Sequence, residues 1–410
     1  MKSKTLFYLI LLTFLLTLIP AAHAQTFSVI YTFTGHTDGA YPWAGVTIRG
    51  NALYGTAGSY WSSAYQLTHL GANWTLSTLA SLSPNNDTPL RVVFGPDGHL
   101  YGTSALGGTN EWGTVFKLTP QAGPCQDAAC YWTVNVLHEF SPGNGDGLDP
   151  MNGDLFWDQQ GHIYGTTSSG GTFLNGTVYQ LTPSGNGYTE SVLYSLSGGV
   201  DGSTPYAGLV FDNKGNLFGT TEIGGGTGCY LHMGCGTIFE LTYVPGVGWT
   251  EHLLYSFQDS SDGSIPGGGL IFDSAGNLYG TTTNGGNGGG GTVFELSPSG
   301  DTWTYKLLYS FSGNGYGPEA ALSMDGAGNL YGTTGGGGIY QKGNVFKLSN
   351  TQNGWVYTSL YDFTGGSDGN GSTSYVSIDT DGTLYGVATF GGDLKCNAPD
   401  GCGVVWMIKP

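Results

Sequence analysis

The sequence predicts an all-β, seven-bladed propeller with four antiparallel strands per blade, its ring closed by an N-terminal strand that joins the last blade. Three observations lead there. The phrase Leu-Tyr-Gly-Thr, with single substitutions, recurs seven times along the 410 residues. Each recurrence sits among four short runs rich in aromatic and β-branched residues and bounded by turn formers, the pattern of strands. The two ends of the chain supply complementary parts of one such unit.

The chain opens with an address rather than with structure. Lys2 and Lys4 precede an apolar run from Leu6 to Ile19, and Pro20 leads into Ala22-His23-Ala24, a small-x-small site with cleavage expected after Ala24. The run is shorter than the ~20 residues that span a bilayer, and no cysteine marks a lipid-anchored terminus. The alternative is an uncleaved anchor. Residues 1–24 are thus expected to be a signal peptide and 25–410 a single domain, secreted to the periplasm or beyond, with no membrane span in the mature chain.

The repeats are anchored on Tyr54, Tyr101, Tyr164, Phe218, Tyr279, Tyr331 and Tyr385. Upstream of each lies an apolar run such as Gly208 to Asp212. Downstream come a Gly-rich stretch, a run such as Gly291 to Leu296, and a last run typified by Trp303 to Phe311. Repetition at this period is the signature of stacked or radial architectures, and four antiparallel strands repeated radially define a propeller blade. The turn between the first two runs has its own chemistry. Asp212, Asp273 and Asp325 each stand three residues before a Gly and four before an Asn. Asp bonds the backbone at a turn start and Gly supplies positive φ. His99 and His162 occupy the Asn place, so a turn role is expected for them.

The ends argue for closure. Phe27 to Phe33 matches the fourth run of a repeat, and Gly403 to Ile408 matches the third. Three strands from one end and one from the other would remove the open edge, whereas an open solenoid would need polar caps.

Composition excludes several functions. Eleven Lys and Arg against 29 Asp and Glu leave a formal net charge of −18, which lacks the positive footprint that phosphate neutralisation requires. Nucleic acid is therefore not an expected partner. The 10 Trp, 26 Tyr and 19 Phe exclude a disordered tail, and the 74 glycines follow no three-residue register of the collagen kind.

The repeat resembles the GloVer tandem-repeat family of exported bacterial proteins. Its unit combines Asp-Gly-x-x-Pro, Gly-Asn-Leu-Tyr-Gly-Thr-Thr, a Gly-Gly pair and Gly-Thr-Val-Phe. Asp201-Gly202 with Pro205, Gly215 to Thr221, Gly224-Gly225 and Gly236 to Phe239 reproduce it in order. The resemblance implies propeller-like repeats and no established biochemical activity. Many members carry a C-terminal surface anchor, whereas this sequence stops at Pro410 straight after a strand.

Six cysteines fall into three close pairs: Cys125 with Cys130, Cys229 with Cys235, and Cys396 with Cys402. Six thiols allow fifteen connectivities, but proximity and export favour local bridges. The rival reading is a metal site on Cys125 and Cys130 with His138 following.

In a propeller, the blade-to-blade loops and the second-to-third-strand loops open on one face. The first set carries Asp38, Asp87, Asp146 with Asp149, Asp201, Asp262 and Asp368; one repeat has Asn314 instead. A ring of carboxylates could hold calcium, a cation that takes several oxygen ligands. The other reading is that Asp precedes Gly because the turn requires it. No cofactor besides such a calcium is implied.

Residues that break the repeat point to ligands. After the Pro of each blade-to-blade loop stand Trp43, Leu90, Met151, Tyr206, Gly267 and Glu319, expected near the central mouth. Trp61, Trp112, Glu222 and Tyr230 stand on second-to-third-strand loops. Aromatic platforms beside carboxylates suit sugar rings, whose apolar faces stack while hydroxyls bond. No Gly-x-Ser-x-Gly or His-Glu-x-x-His motif occurs. A monomeric secreted scaffold binding a glycan or a protein is the first reading. Its rivals are a polysaccharide hydrolase or lyase using Glu222, Glu111 or Asp149, and a structural envelope or matrix protein.

Overall fold

The computed structural model describes residues 25–58, 62–71, 73–83, 88–121, 131–143, 145–151, 154–185, 187–226, 228–229, 233–258 and 261–410. The expected signal segment, 1–24, and Trp61, Asp87, Cys125, Cys130 and Tyr230 lie outside them. Among the described residues every regular element is a strand, and no helix is long and apolar enough to cross a membrane.

Seven four-stranded antiparallel sheets form the seven blades, numbered 1 to 7 in the order of their anchors Tyr54 to Tyr385. Blade 4 shows the plan: Val210–Phe211 innermost, then Leu217–Thr221, Thr237–Val244 and Gly248–Ser256. Blade 7 is composite. Ser377–Ile378, Leu384–Ala388 and Val404–Lys409 are completed by Thr26–Thr32, with Thr26 opposite Lys409 and Thr32 opposite Val404.

The recurring phrase is explained by three contacts. Its Gly lies opposite the third-strand aromatic, as Gly219 does opposite Phe239. A Cβ on Gly219 would come within 2.6 Å of the Phe239 ring, and Gly280, Gly332 and Gly386 face Phe294, Phe346 and Trp406 in the same way. The ring fills the space a side chain would need. The Thr that follows ties one blade to the next: Thr166 Oγ1 donates to the Ala207 carbonyl at 2.7 Å, Thr56 to Leu90 at 2.8 Å and Thr333 to Ser374 at 2.9 Å. The next Thr bonds within the blade, Thr167 to Thr177 and Thr282 to Thr292, both at 2.8 Å.

The core therefore lies between blades. Val178 and Tyr164 of blade 3 pack with Leu209, Leu217, Phe239 and Leu241 of blade 4. Each fully buried Phe or Leu of this kind contributes roughly 1.5–3 kcal/mol of transfer free energy. One such cluster joins Val387 and Val405 of blade 7 to Val46, Leu53 and Leu67 of blade 1.

The innermost strands differ from their sequence pattern. The apolar run of five residues becomes only two paired residues, Val210–Phe211. Upstream the backbone turns to the neighbouring blade: a Cβ on Gly208 would lie 2.7 Å from the Asp154 carbonyl oxygen. Blade 3 also gains a two-stranded ribbon, Gly147–Leu148 with Ser169–Gly170, where blades 4 and 5 keep single bridges such as Ser203 to Ile223 and Ser264 to Asn284.

The turns behave as their chemistry implies. Asp212 Oδ1 accepts from the amides of Lys214 and Asn216 at 2.8 and 2.9 Å. In the His variant, Asp158 accepts from the His162 amide at 3.0 Å and faces its Nδ1 at 2.6 Å. Disulfides join Cys229 to Cys235 and Cys396 to Cys402.

Candidate functional site

The blade-to-blade loops are held by their own acids. Asp38 accepts from the Tyr31 hydroxyl at 3.0 Å, the Thr34 amide at 2.8 Å and the Thr34 hydroxyl at 2.7 Å. Asp201 accepts from Tyr194 and the Ser197 amide, Asp262 from Tyr255 and the Gln258 amide, and Asp368 from Tyr361 and the Thr364 amide. Asp146 accepts from the Ser141 amide at 3.0 Å. Each carboxylate thus serves a turn of its own, in separate gaps around the ring. Asp149 differs: it stands before Pro150 with φ of 56°, and its carboxylate accepts from the Ser169 hydroxyl at 2.8 Å.

Thr204 and Ile265 take the same left-handed conformation before their prolines, with φ of 56° and 58°. That conformation costs an ordinary residue about 1 kcal/mol or more. It is held by packing: a Cβ on Gly236 would approach Pro266 to 2.4 Å, so proline and glycine interlock across the loop. From that proline the chain runs into the innermost strand, as from Pro205 to Val210–Phe211.

At the axis lies a cavity of about 540 Å³, lined by residues on or just before the innermost strands of all seven blades. This is the size of a small-ligand pocket. Trp43 stands on its wall, 41% exposed. The Arg91 guanidinium pairs with the Asp154 carboxylate and lies 3.9 Å from the Tyr375 ring centroid; all three line the cavity, with Glu319 on another side. Blade 5 has Gly267 where other blades carry a side chain, and Glu222 uses the room, its Oε1 3.3 Å from where a Cβ would sit.

The acids here are electrostatically unusual. Burial, reinforced by the Glu319 charge, pushes the Glu222 carboxyl up to about 7. Burial also raises Glu319. Burial, then Glu222 and Glu319, push the Tyr206 phenol up to about 12. Tyr206, Glu222 and Glu319 therefore form one interacting group beside the cavity. A buried carboxyl that titrates near neutrality is a recurrent mark of functional sites.

Of the sequence-derived candidates, Trp43 lines the cavity, while Tyr206 and Glu222 are brought together with Glu319, itself a lining residue. Trp112 is exposed on its own loop, its carbonyl accepting from the Asp149 amide at 3.0 Å, and is not part of the cavity wall. Glu111 is exposed beside it. Trp61 and Tyr230 lie outside the described residues. Sequence reasoning missed Arg91, Asp154 and Tyr375. The available signal was positional: the residue before the buried inner-strand aliphatic is Gly45, Gly208, Gly269 or Ala321 elsewhere, so Arg, Asp and Tyr there are departures.

The model of the family described as Gloeobacter/Verrucomicrobia repeat matches residues 58–242 and 228–410. No curated protein matches the chain. Among solved structures, the chain is similar to a protein of unknown function from Dyadobacter fermentans, at 13% identity and a TM-score of 0.46, covering 78% of this chain and 93% of that one. It is also similar to a puromycin-hydrolyzing peptidase from Mycobacterium tuberculosis, at 10% identity and a TM-score of 0.45, over 88% of this chain and 61% of that one. Likenesses this remote say nothing about chemistry.

Proposed function

Because the chain belongs to the Gloeobacter/Verrucomicrobia repeat family, we propose that it is an exported propeller scaffold that binds a saccharide in its central cavity. The observation behind this reading is the cavity wall itself. An exposed Trp43 offers a flat apolar face, and Arg91, Asp154 and Glu319 offer charged bonding groups around it. Sugars need this combination. Export is supported by the two described disulfides, since such bonds persist in oxidising compartments. The net charge of −18 disfavours nucleic acid.

The test is a glycan and polysaccharide array probed with the chain lacking residues 1–24, with and without chelator. Retention of a defined saccharide, lost in Trp43→Ala and Glu319→Gln while the unfolding transition persists, supports the reading. Silence across the array from a folded chain refutes it. Loss of retention with chelator would assign a role to a bound cation such as calcium.

A second reading rests on Glu222. A carboxyl held near pH 7 beside another carboxylate is how glycoside cleavage separates its acid from its base. Release of reducing ends from the retained polysaccharide, abolished in Glu222→Gln, would turn the binder into a hydrolase. Retention without release leaves it a binder.

A further inference from the structure

One of the turn acids has partners unlike the rest. In five blades the outer strand supplies a tyrosine to this place, Tyr31, Tyr194, Tyr255, Tyr309 and Tyr361, and Tyr31, Tyr194, Tyr255 and Tyr361 donate to the turn carboxylate. In blade 2 the place is taken by His138, whose Nε2 lies 3.4 Å from Asp146 Oδ1.

A second departure meets the first. The outer strands of blades 5 and 6 send Tyr305 and Tyr357 to the equivalent turns, stacked on Tyr255 and Tyr309 at 4.5 and 4.6 Å between ring centroids. Blades 3 and 4 send Glu190 and Glu251 instead, but only Glu190 meets a histidine. Where Tyr255 and Tyr305 flank Asp262, His138 and Glu190 flank Asp146. One ligand atom from each of His138, Asp146 and Glu190 lies within 4.8 Å of the other two, and this is the only such group of three among the described residues.

Two further observations favour a ligand here. Glu190 Oε1, like Glu251 Oε1 in blade 4, is shielded from solvent and meets no hydrogen-bond partner among the described residues; at Glu190 alone a histidine stands by to complete a cation's ligand set and remove that cost. The Phe140 ring stands edge-on to the imidazole at 4.7 Å, fixing its plane. A groove of about 720 Å³ opens beside the group, lined in part by Ser141, Asp146, Thr172, Phe173, Glu190 and Tyr194.

We propose that His138, Asp146 and Glu190 form a binding site for one divalent transition metal ion of the zinc class. One imidazole nitrogen and two carboxylates give three protein ligands, the number zinc takes when a fourth position stays open; here that position faces the groove. The imidazole selects against calcium, which prefers six to eight oxygens. The two carboxylates balance the ion's charge.

The chain from residue 25 onward, with its disulfides oxidised, is titrated calorimetrically with Zn²⁺ alone and, by visible absorption, with Co²⁺ alone. One equivalent binds, and His138→Tyr and Glu190→Gln each weaken binding at least tenfold. Glu251→Gln, at the matching place in blade 4, leaves binding unchanged. His138→Tyr restores the residue five other blades carry, and thermal unfolding without metal checks that each variant folds. Absence of stoichiometric binding by the parent chain overturns the proposal. So does binding indifferent to both substitutions, and so does binding lost in a Cys125→Ser/Cys130→Ser variant but kept in Glu190→Gln, which would move the ion to the cysteines.

Discussion

The Arg91 guanidinium lies 3.9 Å from the ring centroid of Tyr375, so a cation from blade 2 rests on an aromatic face from blade 7. The same guanidinium pairs with Asp154 of blade 3. Three blades thereby share one charge at the ring axis. Removing it leaves the Asp154 carboxylate partly buried without its cation and forfeits the stacking. Arg91→Met is expected to cost about 1–3 kcal/mol, read as a lower urea midpoint at constant slope. An unchanged midpoint would show that the pair is a bystander.

Glu222 makes stability depend on pH with a definite sign. The folded chain holds this proton up to about 7, whereas an unfolded glutamate releases it near 4.3. The folded state therefore binds more protons between these values, and stability falls as pH rises through them before levelling off above 7. After discounting for partial exposure, the loss from this group is about 2 kcal/mol. Urea midpoints from pH 4 to 8 test this, and Glu222→Gln is expected to flatten the decline.

The glycine of the recurring phrase is a steric requirement. In Gly219→Ala the new methyl would meet the Phe239 ring at 2.6 Å, and overpacking of this kind costs about 1–3 kcal/mol. Gly215 in the adjacent turn has nothing within 4 Å of a Cβ, but its φ is +87°. Gly215→Asn should therefore be the milder change, since Asn tolerates that conformation. Thermal melts of the two variants give the ranking.

The Cys229–Cys235 bridge closes a short loop, with a sequence separation of 6. Its contribution by loop entropy is about 2 kcal/mol. Cys229→Ser/Cys235→Ser should lower the unfolding free energy by that amount and leave the propeller intact, as judged by far-ultraviolet circular dichroism.

How far the sequence could be read depended on whether a contact recurs. Gly219, Phe239 and Thr220 meet the same partners in blade after blade, so one physical cause repeats and the unit stands out. Trp43, Tyr206 and Glu222 were visible for the opposite reason, as exceptions to the unit. Arg91, Asp154 and Tyr375 were not, because they belong to three blades far apart in the chain and become neighbours only at the axis. His138 drew attention only through Cys125 and Cys130. Its meeting with Glu190 depends on how one outer strand lies against the next, which spacing does not encode. The recurring acids Asp38, Asp201, Asp262 and Asp368 each proved to satisfy a local turn.

The composite seventh blade also has a meaning in time. Thr26–Thr32 is made long before Val404–Lys409, its partner, so the earlier strand waits unpaired while the six intervening blades are synthesised. Contacts of such long sequence separation form slowly, and an unpaired strand invites association with other chains. The last strand therefore works as a clasp. Six blades can pack in the order they emerge, but the ring commits to its closed state only when Val404–Lys409 finds Thr26–Thr32.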